Sequence, residues 1–314
     1  MKKRRARSWR ITVPASTANL GAGFDSLGLA LDLFLTVEAA ESDSWLVTAL
    51  TPELEIFPSD ETHFIVEVAQ SVAEMYGKKV QPCHLYVSSD IPLTRGLGSS
   101  AAAVVAGIEL ADESCGLNLT THEKLEIAAK YEGHPDNVGA SLYGGLVISC
   151  QTEKGVKLLP LAQLPIEVVT VIPKSELKTS DSRNVLPEEM TFKEAVTAGA
   201  VSNVLVAAFL TQDWELAGKM MKQDRYHQPY RKKLIPHYGA VEEVAGRFGA
   251  FGVALSGAGP TIACFVEQEA GEWLLRQLQQ SFPAMDVRKL TINTTGSKVE
   301  LLETDQMKAR PSSL

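Results

Sequence analysis

The chain reads as an α+β protein of two domains, and three observations predict it. Strand-like alternation and helix-like periodicity are mixed in both halves of the sequence. The 314 residues, 45% of them hydrophobic, exceed the usual size of one domain and can bury a sizeable core. A weak composition shift over residues 154–165 offers a boundary, so the expected units are residues 1–158 and 159–314.

Taken in order, residues 9–14 and 34–39 alternate as strands, and the segment between them carries Gly21, Gly23 and Gly28. Apolar spacing predicts a helix over 60–75 with Asp60 as its N-cap. Residues 83–87 read as a strand, and a loop then leads into helix-forming residues 101–115, stopped by Gly116. Thr120 and Glu123 have capping-box spacing, which predicts a helix through 124–131, broken by Gly133 and Pro135. Residues 145–150 form a strand, and 166–172 form a near-continuous apolar strand of the kind buried on both faces. Helices follow over 192–210, 214–222, 238–248 and 273–278, with strands over 251–255, 261–266 and 287–292.

Composition excludes several functions. No run approaches about 18 uninterrupted apolar residues, so no membrane partner is expected. Thirty basic against 38 acidic residues give a net charge of −8, a poor match to nucleic acid. The one basic run (Lys2, Lys3, Arg4, Arg5, Arg7, Arg10) precedes no apolar stretch of signal-peptide type and is expected to be a solvated tail. Cys83, Cys115, Cys150 and Cys264 are far apart and contain no C-x-x-C pair, which suits reduced thiols in a cytoplasmic protein. The oligomeric state stays open, a homodimer included.

The densest chemical signal is Pro92, Leu93, Thr94, Arg95, Gly96, Leu97, Gly98, Ser99, Ser100, Ala101 and Ala102. A glycine-rich loop feeding a helix exposes unpaired N–H groups at the positive end of the helix dipole, an arrangement that suits a phosphate. A hydroxyl at the helix start can help hold Mg²⁺. A Walker A reading fails, because Ser99 stands where that loop needs lysine. Gly96-x-Gly98-x-x-Ala101 matches the dinucleotide fingerprint by letters, but Pro92 to Arg95 separate it from the preceding strand. A glycine-rich helix start with no ligand is the remaining alternative.

Read whole, the loop resembles the nucleotide-binding motif of the galactokinase, homoserine kinase, mevalonate kinase and phosphomevalonate kinase (GHMP) superfamily. Two further motifs stand in the superfamily's order: Pro14 to Asp25 (PASTANLGAGFD) and Leu255 to Thr261 (LSGAGPT). Asn19 to Asp25, Glu132-Gly-His134-Pro-Asp136-Asn137, Thr179-Ser-Asp-Ser-Arg183 and Asp224 to Arg231 (DRYHQPYR) resemble the homoserine kinases in particular.

The resemblance implies the two-domain GHMP kinase fold, with a ribosomal-protein-S5-domain-2-like N-terminal nucleotide-binding domain and a ferredoxin-like C-terminal domain. It implies ATP and Mg²⁺ as cofactors, L-homoserine as the small-molecule substrate, and O-phospho-L-homoserine for threonine synthesis as the product. An amino-acid alcohol needs a cation for its carboxylate and an acceptor for its ammonium. Arg183 and Arg231 suit the first and Asp25 the second, with Asn19 as a neutral partner; the resemblance gives them the same roles and adds Thr179 to the substrate site. It makes residues 92–102 the phosphate loop and Ser100 and Glu132 the metal ligands, with two catalytic candidates: Asn137 as a hydroxyl-positioning residue and Asp136, which falls close to the position of the aspartate that mevalonate kinases use. His134 is expected to be a loop residue rather than a base. One segment departs from the family pattern: Asp60-Glu-Thr62-His63-Phe64 lacks the Asn that homoserine kinases commonly carry near the adenine.

Overall fold

A computed structural model describes residues 7–161 and 163–302. Two sheets organise these residues. The first half contributes β1 (Ser8–Ala18), β2 (Leu27–Glu41), β3 (Leu46–Ala49), α1 (Phe64–Met75), β4 (Cys83–Ser89), α2 (Ser99–Cys115), α3 (Thr121–Glu132), α4 (Asp136–Tyr143), β5 (Leu146–Thr152) and β6 (Gly155–Leu161). The second contributes β7 (Ile166–Ile172), α5 (Thr179–Asn184), α6 (Phe192–Thr211), α7 (Trp214–Met221), α8 (Gln228–Arg231), α9 (Tyr238–Arg247), β8 (Gly252–Leu255), β9 (Ile262–Glu267), α10 (Gly271–Ser281), β10 (Asp286–Leu290) and β11 (Lys298–Leu301).

The larger sheet runs β11-β1-β2-β4-β3, and β5 and β6 extend it from the first residues of β2. β1 and β2 pair antiparallel along their length, with a register shift between Pro14 and Ala15; Pro14 has no N–H to give the ladder, so the pairing breaks there. Both strands are longer than alternation alone predicts, and the intervening turn shrinks to residues 19–26. α2 packs on β1, β2, α1, α3 and α4. Its run of alanine, valine, isoleucine and leucine is apolar on most sides, as a central helix must be.

Lys124 near the start of α3 holds Glu109 and Asp112 of α2 at 2.6 and 2.7 Å. That buried triad docks the two helices antiparallel, so the end of α3 meets the start of α2.

The second sheet runs β10-β7-β9-β8, all antiparallel, with α5 to α9 between β7 and β8 and α10 between β9 and β10. This is the order of a ferredoxin-like domain. A division at 158/159 would cut β6, and β11 carries the chain back to the first sheet beside β1.

Several expectations need correction. Asp60 does not cap α1: its carboxylate is taken by Thr62 N and Oγ1, and the helix starts at Phe64 with His63 Nδ1 accepting from Ile65 N. β3, β6, α4 and α5 escaped the periodicity reading because they are short or carry turn-forming residues. Of the basic run, Lys2 to Arg5 lie outside the described residues. Arg7 and Arg10 are no solvated tail, since they pair with Glu41 and Glu38 at 3.0 Å each. α6 is long and apolar enough, by length and composition, to cross a membrane. Its Val201, Leu205, Ala208 and Phe209 are buried in the fold, and Ser202 Oγ donates to Ala22 O. All four cysteines are free.

Candidate active site

One cavity of about 440 Å³ collects Asn19, Asp25, Ser100, Glu132, Asp136, Asn137, Thr179, Arg183 and Arg231. The loop residues Leu93, Thr94, Arg95, Gly96, Gly98, Ser99 and Ala101 line it too. Pro92, Leu97 and Ala102 do not: Leu97 and Ala102 are core residues, and the Leu97 carbonyl accepts from Ser16 N at 3.1 Å.

The phosphate-loop end is made of backbone. α3 and α6 begin with complete capping boxes, whereas α2 begins on Gly98, which has a positive φ of 73° and no capping side chain. The first N–H groups of α2 therefore keep their donors for an anion. The loop's shape leaves no room for side chains. A Cβ on Gly96 would meet the Ser256 carbonyl at 2.2 Å, and one on Gly98 would meet Ser16 Oγ at 2.2 Å. Ser256 Oγ donates to Gly96 O and Thr261 N to Arg95 O, so the turn 256–261 braces the loop. Arg95 turns its guanidinium to the carbonyls of Pro173 and Lys174, at 3.1 and 2.7 Å, and ties the loop to the end of β7.

Beside the first turn of α2, Ser100 Oγ donates to Glu132 Oε1 at 2.6 Å. Glu132 closes α3, where the helix dipole disfavours a carboxylate. Two hard oxygen donors, with that negative end behind them, fit a magnesium ion sharing its shell with phosphate and water.

The opposite end is made of charged side chains. Arg183 on α5 holds Asp25 through Nη1 and Nη2 at 2.9–3.3 Å. Arg231 on α8 is 2% exposed, and its hydrogen-bond partners among the described residues are neutral. Nε donates to Ser182 O at 3.0 Å and Nη1 to Gly257 O at 3.1 Å, while Nη2 makes no hydrogen bond among the described residues. Burial, then repulsion from Arg183, pulls its guanidinium down to about 10, still charged at neutral pH.

Phe24, which the sequence reading passed over, lies under both cations, with its ring 5.6 Å from the Arg183 and 5.2 Å from the Arg231 guanidinium carbon. Asn19 is a bridge: Nδ2 donates to Gly257 O, and Oδ1 accepts from Asp25 N.

Between the two ends, Asp136 is 1% exposed, and its Oδ1 takes Asn137 N at 2.7 Å and lies 2.5 Å from His134 Nδ1. Burial opposes a charge on His134, but the bond to Asp136 and its charge outweigh burial and raise the imidazole pKa. Asn137 Oδ1 accepts from Ser16 Oγ at 2.9 Å, and its Nδ2 makes a long contact of 3.4 Å to Asp136 Oδ1. A third, apolar arm is walled by Leu54, Ile56, Phe57, His63, Phe64 and Ile65, so the segment that lacks the family's Asn still lines the cavity.

Comparison with known proteins agrees with this geometry. Residues 63–145 match the GHMP kinase N-terminal domain family and residues 205–284 the GHMP kinase C-terminal family. A homoserine kinase of Bacillus velezensis is 50% identical over 95% of this chain and 97% of its own. One of Shouchella clausii is 45% identical over 94% of this chain and 99% of its own.

The chain belongs to the homoserine kinase family.

The solved homoserine kinase of Cytophaga hutchinsonii superposes with a TM-score of 0.83 at 29% identity, covering 96% of this chain and 99% of that one. A mevalonate kinase structure shares the fold alone, with a TM-score of 0.68 at 18% identity over 91% of this chain and 99% of its own. The homoserine kinase relationship and the two-domain GHMP fold thus stand as the sequence motifs indicated.

Proposed function

We propose that this homoserine kinase family member transfers the γ-phosphoryl group of ATP to the side-chain hydroxyl of L-homoserine, giving O-phospho-L-homoserine for threonine synthesis, in the cytoplasm. The observation that carries the reading is the meeting, in one cavity, of an uncapped helix start and a buried arginine whose hydrogen-bond partners among the described residues are all neutral. The first suits a triphosphate and the second a carboxylate.

The zwitterionic substrate matches the other pair as well. Its ammonium and carboxylate take over Asp25 and Arg183, which in the free protein satisfy each other. Thr179 at the start of α5 closes that end. The apolar arm accepts the base, where His63 offers Nε2–H because its Nδ1 already accepts from Ile65 N. The amides of Gly96 to Ala101 hold the β- and γ-phosphates.

Asn137 donates to the substrate hydroxyl and fixes its approach, and Asp136, buried and bonded to His134, orients Asn137 through its backbone N–H. The hydroxyl oxygen attacks phosphorus in line, the bond to the β-phosphate oxygen breaks, ADP leaves and the hydroxyl proton is lost to solvent. Ser100 and Glu132 hold Mg²⁺, which supplies neutralisation of phosphate charge. The test is an ADP-release assay with purified protein, ATP and Mg²⁺, offering L-homoserine and mevalonate in parallel. Turnover with homoserine alone supports the reading, and turnover with mevalonate alone overturns it.

A further inference from the structure

Resting on the carboxylate role of Arg231 proposed above, we infer that His227 is a positioning residue, a neutral imidazole that aims the Arg231 guanidinium without spending its charge. His227 is fully buried, one residue before α8. Its Nε2 lies 2.9 Å from the carbonyl oxygen of Gly21, in the first glycine-rich turn. A carbonyl can only accept, so Nε2 carries the proton. The other ring nitrogen, Nδ1, lies 3.5 Å from Nη1 of Arg231. A guanidinium can only donate, so Nδ1 must present a lone pair. A proton on Nδ1 would set two N–H groups against each other. The two neighbours therefore select one tautomer and one charge state.

Asp224 Oδ2 lies 3.4 Å from Nε2 and favours the imidazolium, but its two oxygens already accept the backbone N–H groups of Tyr226, His227 and Gln228. Burial lowers the His227 pKa most, Asp224 opposes it, and Arg231 adds to the lowering; the net direction is down. The Phe24 ring stacks on the imidazole at 5.3 Å and 19° while lying under both arginines. His227 thus links the turn that carries Asp25 to the helix that carries Arg231.

Neutrality is the functional point. A carboxylate in this place would pair with Arg231 and compete with the substrate's carboxylate, and a second cation would repel it. A neutral acceptor, with the carbonyls of Ser182 and Gly257, fixes Nε and Nη1 and leaves Nη2 free for the ligand.

Two substitutions separate the halves of this claim. In His227→Gln the amide nitrogen can replace Nε2 at Gly21, but the acceptor facing Arg231 is lost. In His227→Asn the amide oxygen stands near the place of Nδ1 and keeps that acceptor. With both variants shown folded by circular dichroism, steady-state kinetics should give His227→Gln a homoserine KM about tenfold higher, with kcat and the ATP KM within about twofold of wild type. His227→Asn should stay within about threefold for all three constants. An unchanged homoserine KM in His227→Gln overturns the inference, as does a loss shared equally by kcat and both KM values. Arg231→Leu, measured alongside, separates the two levels: if it leaves the homoserine KM unchanged, the carboxylate reading itself fails. If Arg231→Leu raises that KM and His227→Gln does not, only the positioning role fails.

Discussion

The two ends of the cavity are built by opposite means. At the phosphate end the protein offers backbone: Gly96 and Gly98 press against Ser256 and Ser16, α2 starts without a cap, and Arg95 is tied to the Pro173 and Lys174 carbonyls just past β7. At the amino-acid end it offers side chains of both signs: Asp25 against Arg183, and Arg231 among neutral acceptors. A polyanion can be held by many weak partial charges fixed in direction, so geometry does the selecting. A small zwitterion presents two opposite charges a few bonds apart, and only paired, oppositely charged groups can tell it from a neutral alcohol.

Four perturbations probe that contrast, in descending order of effect. Glu132→Ala removes one of two hard donors beside the helix start and should lower kcat roughly 100- to 1000-fold, with the homoserine KM little changed. If kcat survives, the metal assignment is wrong. Gly96→Ala drives a Cβ into the Ser256 carbonyl, where backbone cannot yield, at a φ of 77° that strains alanine. A displacement of about 1 Å can cost roughly 100-fold in rate, and the ATP KM should report it alongside a lower melting temperature. Arg231→Leu leaves a carboxylate without its charged partner, about 1.5–3 kcal/mol, so the homoserine KM should rise roughly 10- to 100-fold while the ATP KM holds. This prediction sharpens the contrast most, because it separates the two ends kinetically. Arg183→Gln should act more weakly, because the Arg183–Asp25 pair is partly open to solvent; a change of only about 2- to 5-fold in homoserine KM is expected.

The sequence exposed these two ends unequally. Glycines at Gly96 and Gly98 followed by small helix-forming residues are a backbone signal, and chain chemistry alone suggested an anion site there. Even so, three of the eleven loop residues, Pro92, Leu97 and Ala102, turned out not to line the cavity. Nothing local in Arg183, Arg231 or Glu132 distinguishes them from ordinary surface residues, and only their place in family motifs singled them out. Phe24 and His227 lay inside quoted motifs but carried no signal, since a cation-supporting ring and a neutral buried imidazole are defined by neighbours distant in sequence. The fold was legible where periodicity was long, as in α2, α6 and β7. It was lost where elements are short, as in α4 and α5, or where a side chain could cap in either of two ways, as at Asp60 and His63.

The His227 environment also carries a pH signature. Its folded pKa is lowered, so the unfolded chain takes up the proton first as pH falls. The stability tied to this residue is present above about pH 6.5 and is lost as pH drops toward the folded value. Melting temperatures from about pH 7.5 down to about pH 5 should fall less steeply in His227→Gln than in wild type, by a few degrees or less. An equal slope in both would mean that the imidazole is not held neutral.

The most direct measurement is a crystal structure with L-homoserine and a non-hydrolysable ATP analogue bound together. The analogue's phosphates should lie on the amides that open α2, with the homoserine carboxylate on Arg231 Nη2 and its hydroxyl toward the terminal phosphate. Phosphates bound elsewhere, or a carboxylate turned away from Arg231, would contradict the division of labour described here.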